Sequence, residues 1–319
     1  MMNAKFTEKV YNTADAEYER TFWNAMRGRP KLLDEQQIGK DESTGTHIMP
    51  IGANTKYRNK LTARSAFRDI ASVFDTYDSS YKFIARDTDD KSLWIPETGE
   101  IPISDGMTDF DTTMSQCKKL ASIVKLESSF LYDVGFDVEN YLIDRLSKTF
   151  ARGEDDGFIN GNGETSAFGI LHPEHGAVTG VETDSLTFDD ITSLYFSLDP
   201  EYRDCGTWMM NDVTALYLRN LKDDAGNFLW RGSEDNLLGR PVRISNFMPS
   251  AESGKCPVAF GDFSYYWIAD RTNRTMKRLN ELYAMTDQVG FVGTLLPQSV
   301  IFGINLCAGF PDGFFDFLF

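Results

Sequence analysis

Apolar residues recur at helical spacing at the start of the chain and again near its middle. Between residues 6 and 26 they fall on one helical face with charged residues between them, which predicts an amphipathic helix within residues 1–30. A longer apolar stripe follows Asp137, a residue suited to capping a helix. We therefore predict a long central helix over residues 137–158.

Alternation of apolar and polar residues predicts several strands, with further helices between them. The predicted strands cover residues 81–85, 119–127, 241–245, 257–260, 265–269, 289–295 and 300–306. We expect helices at residues 61–73 and, capped by Asn211, at residues 212–222. The apolar residues that share one face of the latter helix are Val213, Leu216, Tyr217 and Leu221. Helices and strands in this mixture indicate an α+β fold.

Three segments lack an evident partner within the chain. Residues 31–60 are polar and without periodicity, which predicts an arm that is disordered or lies along another molecule. Residues 81–114 hold a turn signal flanked by prolines, which predicts a projecting hairpin, and such a hairpin is marginal on its own. The last ten residues include five phenylalanines and one leucine. We expect this tail to be buried on its own fold or at a subunit contact.

Length and charge narrow the class of protein. A chain of 319 residues favours one large domain or two lobes. The formal net charge of −16 argues against a broad basic face that grips nucleic acid. No apolar stretch reaches the ~20 residues of a membrane-spanning helix, and the first ten residues lack the apolar core of a secretion signal. We therefore expect cytoplasmic synthesis and no membrane partner.

Motifs that could carry catalysis or bind a metal have plainer interpretations. The glycines at residues 161 and 163 follow a predicted helix, which favours a turn over a phosphate loop. His172 and His175 flank a proline-containing turn, and residues 87–92 lack the glycine of a calcium loop. No nucleophile elbow or Walker sequence is present. We therefore expect no enzyme activity, no metal and no cofactor.

The cysteines have no spacing typical of a disulfide framework or a zinc site. They are Cys117, Cys205, Cys256 and Cys307. We expect reduced thiols, most of them buried.

Self-association explains the three unpartnered segments together. If every copy offers the same projecting segments and the same receiving surfaces, the contacts are head-to-tail and propagate into a ring or shell.

An ordered set of motifs then resembles a known family, the Hong Kong 97-type major capsid proteins of tailed bacteriophages. The motifs are WIPETGEIP at residues 94–102, KKLA at 118–121, FARGEDDGFINGNG at 150–163, FGIL at 168–171, WMMN at 208–211, LKD at 221–223, LLGRPV at 237–242 and FGDF at 260–263. Each motif is weak alone, whereas the ordered set spans most of the chain.

The resemblance implies a division of the chain into domains. An N-terminal helix within residues 1–30 would precede an arm at residues 31–60. A peripheral domain would comprise residues 61–80, 115–179 and 276–319, with its spine helix at residues 137–158. Residues 81–114 would be the extended loop that lies over an adjacent subunit, and residues 180–275 the axial domain.

The resemblance also implies pentamers and hexamers that close into an icosahedral shell around double-stranded DNA, which is enclosed without sequence-specific binding. The expected location is the virion, after assembly in the host cytoplasm. Portal, scaffolding and decoration proteins are possible further partners. The residues that we expect at subunit interfaces are Phe22, Pro50, Lys91, Trp94, Glu97, Glu100, Phe314, Phe315 and Phe317.

Some members of that family crosslink a loop lysine to a peripheral asparagine beside a glutamate, and this chain departs from the pattern. Lys91 is the only lysine between Phe83 and Cys117, and no glutamate follows Glu281 to stand beside Asn305. We therefore predict a noncovalent shell. Two alternatives stay open at the level of sequence, an encapsulin-type nanocompartment shell and an acidic cytoplasmic hydrolase.

Overall fold

The computed structural model describes residues 13–28, 40–41, 46–76, 80–86, 110–116, 118–133, 135–183, 185–230, 235–252, 254–271, 274–295, 297–301 and 306–309. The helices are α1 (Ala16–Arg27), α2 (Ile51–Arg64), α3 (Ser128–Tyr132), α4 (Val138–Asn160), α5 (Phe188–Ser197), α6 (Pro200–Arg203) and α7 (Asp212–Asn220), with 3-10 turns at Phe263–Tyr265 and Ala284–Thr286. The strands are β1 (Lys40–Asp41), β2 (Thr46–Ile48), β3 (Ser72–Thr76), β4 (Ser80–Arg86), β5 (Phe110–Gln116), β6 (Leu120–Glu127), β7 (Val178–Glu182), β8 (Thr207–Met210), β9 (Asn236–Leu237), β10 (Arg240–Ile244), β11 (Val258–Gly261), β12 (Tyr266–Arg271), β13 (Thr275–Leu279), β14 (Gln288–Leu295), β15 (Pro297–Ile301) and β16 (Leu306–Gly309).

The described strands form four sheets. A five-stranded sheet has the order β1-β2-β13-β14-β6, and a six-stranded sheet has the order β7-β16-β11-β8-β10-β9. A three-stranded sheet, β15-β12-β3, combines antiparallel and parallel pairing. The fourth sheet is the antiparallel pair β4-β5.

The first lobe consists of α1, α2 and α4 packed on the five-stranded sheet. Its core takes apolar side chains from one face of each helix and from β6 and β14. On α1 the buried face includes Phe22 and Met26, both fully buried, and on α4 it includes Leu142 and Leu146. Burying one such side chain contributes about 1.5–3 kcal/mol. The predicted amphipathic faces are therefore the faces that build this core.

The second lobe consists of the six-stranded sheet with α5 and α7. Its central strands, β8 and β11, are buried along their whole length. Trp208 and Phe260 face the helices, where their rings stack with centroids 4.2 Å apart. Met209 and Ala259 face the other way, into a third core that lies between the lobes. Two buried faces explain why these strands are continuously apolar.

The long central helix is confirmed. Asp137 is its N-cap and accepts a hydrogen bond from the backbone N–H of Asn140 at 3.1 Å; such a cap is worth about 1 kcal/mol. The side-chain amide of Asn140 donates to the same carboxylate at 2.6 Å. The two hydrogen bonds from Asn140 lower the pKa of Asp137. The helix ends at Gly161, where an added Cβ would lie 2.1 Å from the carbonyl oxygen of Ala167. The glycine turn predicted at residues 161–163 thus has a steric cause.

The prediction of a helix over residues 6–26 is wrong at its start within the described residues. Helix α1 begins at Ala16 because the Asp15 carboxylate accepts the backbone N–H of Glu17 and caps it. The helix ends before Pro30, at Gly28, whose φ of 76° is the left-handed conformation typical of a helix C-cap.

The predicted arm at residues 31–60 is wrong for every described part of it. Strands β1 and β2 join the five-stranded sheet, where β2 pairs with β13 of the same chain, and residues 51–60 belong to α2. The helix is mostly polar, and its buried face is a single row of Ala53, Tyr57 and Leu61, one residue per turn. Three apolar residues at a spacing of four are too few to stand out in a polar sequence. The same error displaced the predicted helix at residues 61–73, which contains the end of α2, a turn and the first residues of β3.

Most predicted strands are confirmed, and one is wrong. The expected strand at residues 300–306 is instead the end of β15 and the start of β16, with residues 302–305 outside the described part. Strand β16 pairs with β11 and β7 in the second lobe. The assignment of residues 276–319 to one peripheral domain is therefore wrong for β16.

Most of the apolar face predicted for residues 212–222 points to solvent, whereas Leu221 packs against the core of the second lobe. Val213 and Leu216 are 63% and 62% exposed. The buried face of α7 is formed instead by Thr214, Ala215 and Leu218, whose two small residues let the helix approach the sheet closely. The expectation of mostly buried thiols is wrong for Cys205, which is exposed and free.

Candidate functional site

Two of the predicted interface residues are buried within their own chain. Phe22 is 0% exposed in the core of the first lobe, and Pro50 is a buried residue at the N-cap of α2. Neither side chain is accessible to a second subunit, so this part of the prediction is wrong. The other predicted interface residues lie outside the described part of the chain: Lys91, Trp94, Glu97, Glu100, Phe314, Phe315 and Phe317.

A buried charge network joins α4 of the first lobe to strand β12 of the three-stranded sheet. The guanidinium of Arg68, in the turn after α2, donates two hydrogen bonds to Glu154 of α4, at 2.7 and 2.8 Å. It donates two more to Asp270 of β12, both at 2.8 Å. Arg274 donates to the same Asp270 at 2.9 Å. All four side chains are at most 3% exposed, so the two bidentate pairs of Arg68 take the place of water around its guanidinium and around the carboxylates of Glu154 and Asp270.

The protonation behaviour of the network follows from its contacts. Burial raises the pKa of Glu154, and the charge and hydrogen bonds of Arg68 only partly oppose that rise. Burial also acts to raise the pKa of Asp270, but Arg68 and Arg274 together hold that pKa below its ordinary value. Glu154 has one guanidinium and Asp270 has two, so Glu154 depends more strongly on Arg68.

A second carboxylate fixes the turn that carries Arg68. Asp155 accepts hydrogen bonds from the hydroxyl of Ser65 at 2.5 Å and from the backbone N–H of Ala66 at 3.2 Å. Burial raises the pKa of Asp155 in spite of these hydrogen bonds. Since Asp155 follows Glu154 on α4, one turn of that helix both holds the backbone of the loop and binds its arginine.

An aromatic cluster surrounds Phe67, beside the network. The ring of Phe67 contacts those of Phe158, Phe263 and Tyr266, with centroids 4.7 to 5.7 Å apart. The hydroxyl of Tyr266 donates to the carbonyl of Phe168 at 2.7 Å. Phe67 is completely buried. The charge network and this cluster together fix the angle between the central helix and strand β12.

We call the charge network of Arg68 and the aromatic cluster of Phe67 together the junction. The sequence analysis does not predict the junction, although the position of Glu154 is a signal for it. Glu154 lies between Phe150 and Phe158 at a spacing of four residues, in the middle of the buried stripe of α4. A carboxylate in that position needs a buried cation. The sequence alone does not say which of the 32 lysines and arginines it is.

The histidine pair has a structural role in its turn. Nδ1 of His172 accepts the backbone N–H groups of Glu174 and His175, at 3.2 and 3.1 Å, and the two imidazole rings stack. Within the described residues, no group of three histidine, cysteine or acidic side chains is arranged to hold a metal ion. No helix in the same part of the chain has the length and apolar character needed to cross a membrane.

The sequence profile described as the phage capsid family matches residues 48–295. The chain belongs to the phage capsid family. This match covers most of both lobes and the charge network around Arg68. As a phage capsid protein, the chain has a structural and not an enzymatic role, and it is a component of a virion.

Solved structures agree with the family assignment. The capsid of an empty GTA particle, computed with C5 symmetry, matches with a TM-score of 0.67 and 28% identity, over 78% of this chain and 90% of that one. A chain of Microbacterium phage Oxtober96 shares the fold at 15% identity and a TM-score of 0.55, over 89% of this chain and 98% of that one. A chain of Mycobacterium phage Adephagia also shares the fold, at 13% identity and a TM-score of 0.55, over 78% of this chain and 91% of that one. No curated protein sequence matches the chain.

Proposed function

We propose that this capsid protein assembles through pentamers and hexamers of itself into an icosahedral shell that encloses double-stranded DNA and is held together without covalent crosslinks. Assembly takes place in the host cytoplasm, with portal, scaffolding and decoration proteins as candidate further partners. Family membership supports the capsid role, and the C5 symmetry with which the GTA capsid was computed supports a pentameric unit. The family match does not favour the encapsulin-type shell or the hydrolase.

The observation that carries the proposal is the separate hairpin ladder. Strands β4 and β5 pair over seven residues and belong to none of the three larger sheets. A two-stranded ladder gains little stability alone. Its strand β5 contacts β15 of the same chain, and we propose that an adjacent subunit supplies the remaining support. We propose that residues 81–114 extend over an adjacent subunit, which makes Lys91, Trp94, Glu97 and Glu100 interface residues. The Phe-rich tail, with Phe314, Phe315 and Phe317, is a second proposed contact.

Exposed apolar side chains on the described surface support self-association. Besides Val213 and Leu216 on α7, Met285 is 99% exposed and Tyr132 is 68% exposed, at one end of the five-stranded sheet. Single exposed apolar residues are ordinary on a protein surface, so we propose these side chains as subunit contacts only in combination with the family's capsid role. Copies of this chain are the partner that capsid assembly supplies.

Assembly is expected to depend on salt. Each subunit carries a net charge of −16, and screening shortens the range of repulsion between like-charged copies. Light scattering of the purified chain should therefore rise as salt is added at constant protein concentration. Each contact between copies can be weak, because many contacts act together when a shell closes. A chain that stays monomeric at every salt and protein concentration would contradict the proposed self-assembly.

Purified particles should also dissociate completely in detergent. After boiling with reductant, gel electrophoresis should show one band at the mass of the monomer, because the lysine and glutamate of the crosslinking pattern are missing or displaced. A ladder of bands at multiples of that mass would show covalent joining and would refute the noncovalent part of the proposal.

A further inference from the structure

The exposed side of the central helix carries a row of cations. Arg145, Lys148 and Arg152 of α4 are all exposed. At 3.6 residues per turn they fall within about 60° of one another around the helix axis. The rise of ~1.5 Å per residue spreads them over about 10 Å along the axis. We call these three residues the basic stripe.

The stripe has no ionic partner in the described structure. None of its three side chains makes an ion pair or a side-chain hydrogen bond with any residue of the described ranges. The neighbouring cations on α2 behave differently. Lys56 pairs with Glu139 at 2.7 Å, and Lys60 and Arg64 both pair with Asp144. Within the described ranges, the cations beside the stripe are therefore neutralised, whereas those of the stripe are not.

The surface shared by α2 and α4 is positive in a strongly negative protein. Its cations are Lys56, Lys60, Arg64, Arg145, Lys148 and Arg152. The carboxylates on α4 at this surface are Glu139, Asp144 and Asp156, and Glu19 and Asp137 lie near Lys56. Six cations against five carboxylates leave a positive excess that lies in the stripe, while the whole chain carries −16. A surface of opposite sign to the rest of the protein marks a place for a polyanion.

The stripe lacks the apolar centre of a protein interface. Between Arg145 and Arg152, and between Lys56 and Arg64, no large apolar side chain is exposed. Protein interfaces have an apolar core and are depleted in lysine, whereas interfaces with nucleic acid are polar and positively charged. The composition of this face therefore favours nucleic acid over a second protein chain.

We propose that the basic stripe of α4 binds the phosphate backbone of the enclosed double-stranded DNA, and that the face formed by α2 and α4 looks toward the interior of the shell. The inference rests on the proposed function for the presence of DNA. One strand of DNA carries a charge every 3.4 Å along the helix axis, so a stripe of about 10 Å spans about three phosphates. Such contacts carry no sequence information, and with three charges per subunit they are weak enough to release the genome.

The test compares two triple variants of the full chain with the unaltered protein. In the first, Arg145→Gln, Lys148→Gln and Arg152→Gln remove the stripe. In the matched control, Lys125→Gln, Lys222→Gln and Lys255→Gln remove the same charge from exposed positions elsewhere. Fluorescence anisotropy of a short labelled duplex DNA of mixed sequence is measured against unassembled subunits over a range of salt. Light scattering shows separately whether each variant still assembles.

The stripe variant should bind the duplex about tenfold more weakly or worse at low salt, and the slope of log affinity against log salt should fall by about 2 to 3. The control should keep the slope of the unaltered chain. Equal losses in both variants, or none in either, would overturn the proposal. So would binding of a peptide of residues 87–109 in place of DNA, since its seven carboxylates and one lysine would make the loop of a second copy the occupant. Failure of the unaltered chain to assemble would refute the proposed function. The DNA measurement would still test the basic stripe, because it uses unassembled subunits.

Discussion

Replacing Arg68 with methionine should lower the free energy of unfolding by about 3–5 kcal/mol, because the substitution leaves a buried carboxylate without its cation. Arg274 still pairs with Asp270 in this variant, whereas Glu154 loses both of its hydrogen bonds from Arg68. Urea denaturation followed by circular dichroism measures the change. The matched control is Arg58→Met, which removes an ion pair with Asp75 whose side chains are 37% and 39% exposed, and which should cost less than about 1 kcal/mol.

The pH dependence of the Arg68→Met variant identifies the orphaned group. In the folded variant the pKa of Glu154 should lie well above its unfolded value, since burial already raises it and the opposing charge of Arg68 is gone. A carboxyl with a raised folded pKa destabilises the protein above that pKa, and the cost disappears as pH falls below the unfolded value. The deficit should therefore shrink on acidification, and the second substitution Glu154→Gln should recover part of it at neutral pH. A deficit that is the same at every pH and unchanged by Glu154→Gln would contradict the account of the junction.

Replacing Phe67 with alanine should cost about 3–5 kcal/mol as well, because a fully buried ring is removed from among three other rings. The Phe67→Leu variant should lose less, which keeps a measurement possible if the alanine variant does not fold. The control is Phe130→Ala, where the side chain is 44% exposed and the expected loss is about 0.5 to 1 kcal/mol. Equal denaturation midpoints for Phe67→Ala and Phe130→Ala would show that the aromatic cluster does not hold the lobes together.

The sequence predicted those elements whose signals are local. The central helix carries its own cap at Asp137 and a long stripe, and both act within a few turns of the helix. Strand β6 shows clear alternation and pairs with β14 over its whole length. Helix α2 was missed because its buried row has only one residue per turn and its other faces are polar. Its stability comes from ion pairs and packing with α4, which are contacts between distant parts of the sequence.

The junction is the clearest case of what sequence reasoning does not reach. Arg68 lies 86 residues from Glu154 and 202 residues from Asp270 along the chain. Its partners are chosen by the fold, and no periodicity or spacing of residues encodes that choice. The basic stripe is the opposite case, since Arg145, Lys148 and Arg152 show helical spacing in the sequence. The net charge of −16 argues against a basic surface when the chain is considered as a whole, so the sequence analysis does not single out these three residues.

Electron microscopy of the full chain, expressed alone and examined at several salt concentrations, shows whether copies of the chain assemble by themselves. We expect closed particles tens of nanometres across, built from rings of five and six copies. Featureless monomers or dimers at every salt and protein concentration would contradict the proposed self-assembly.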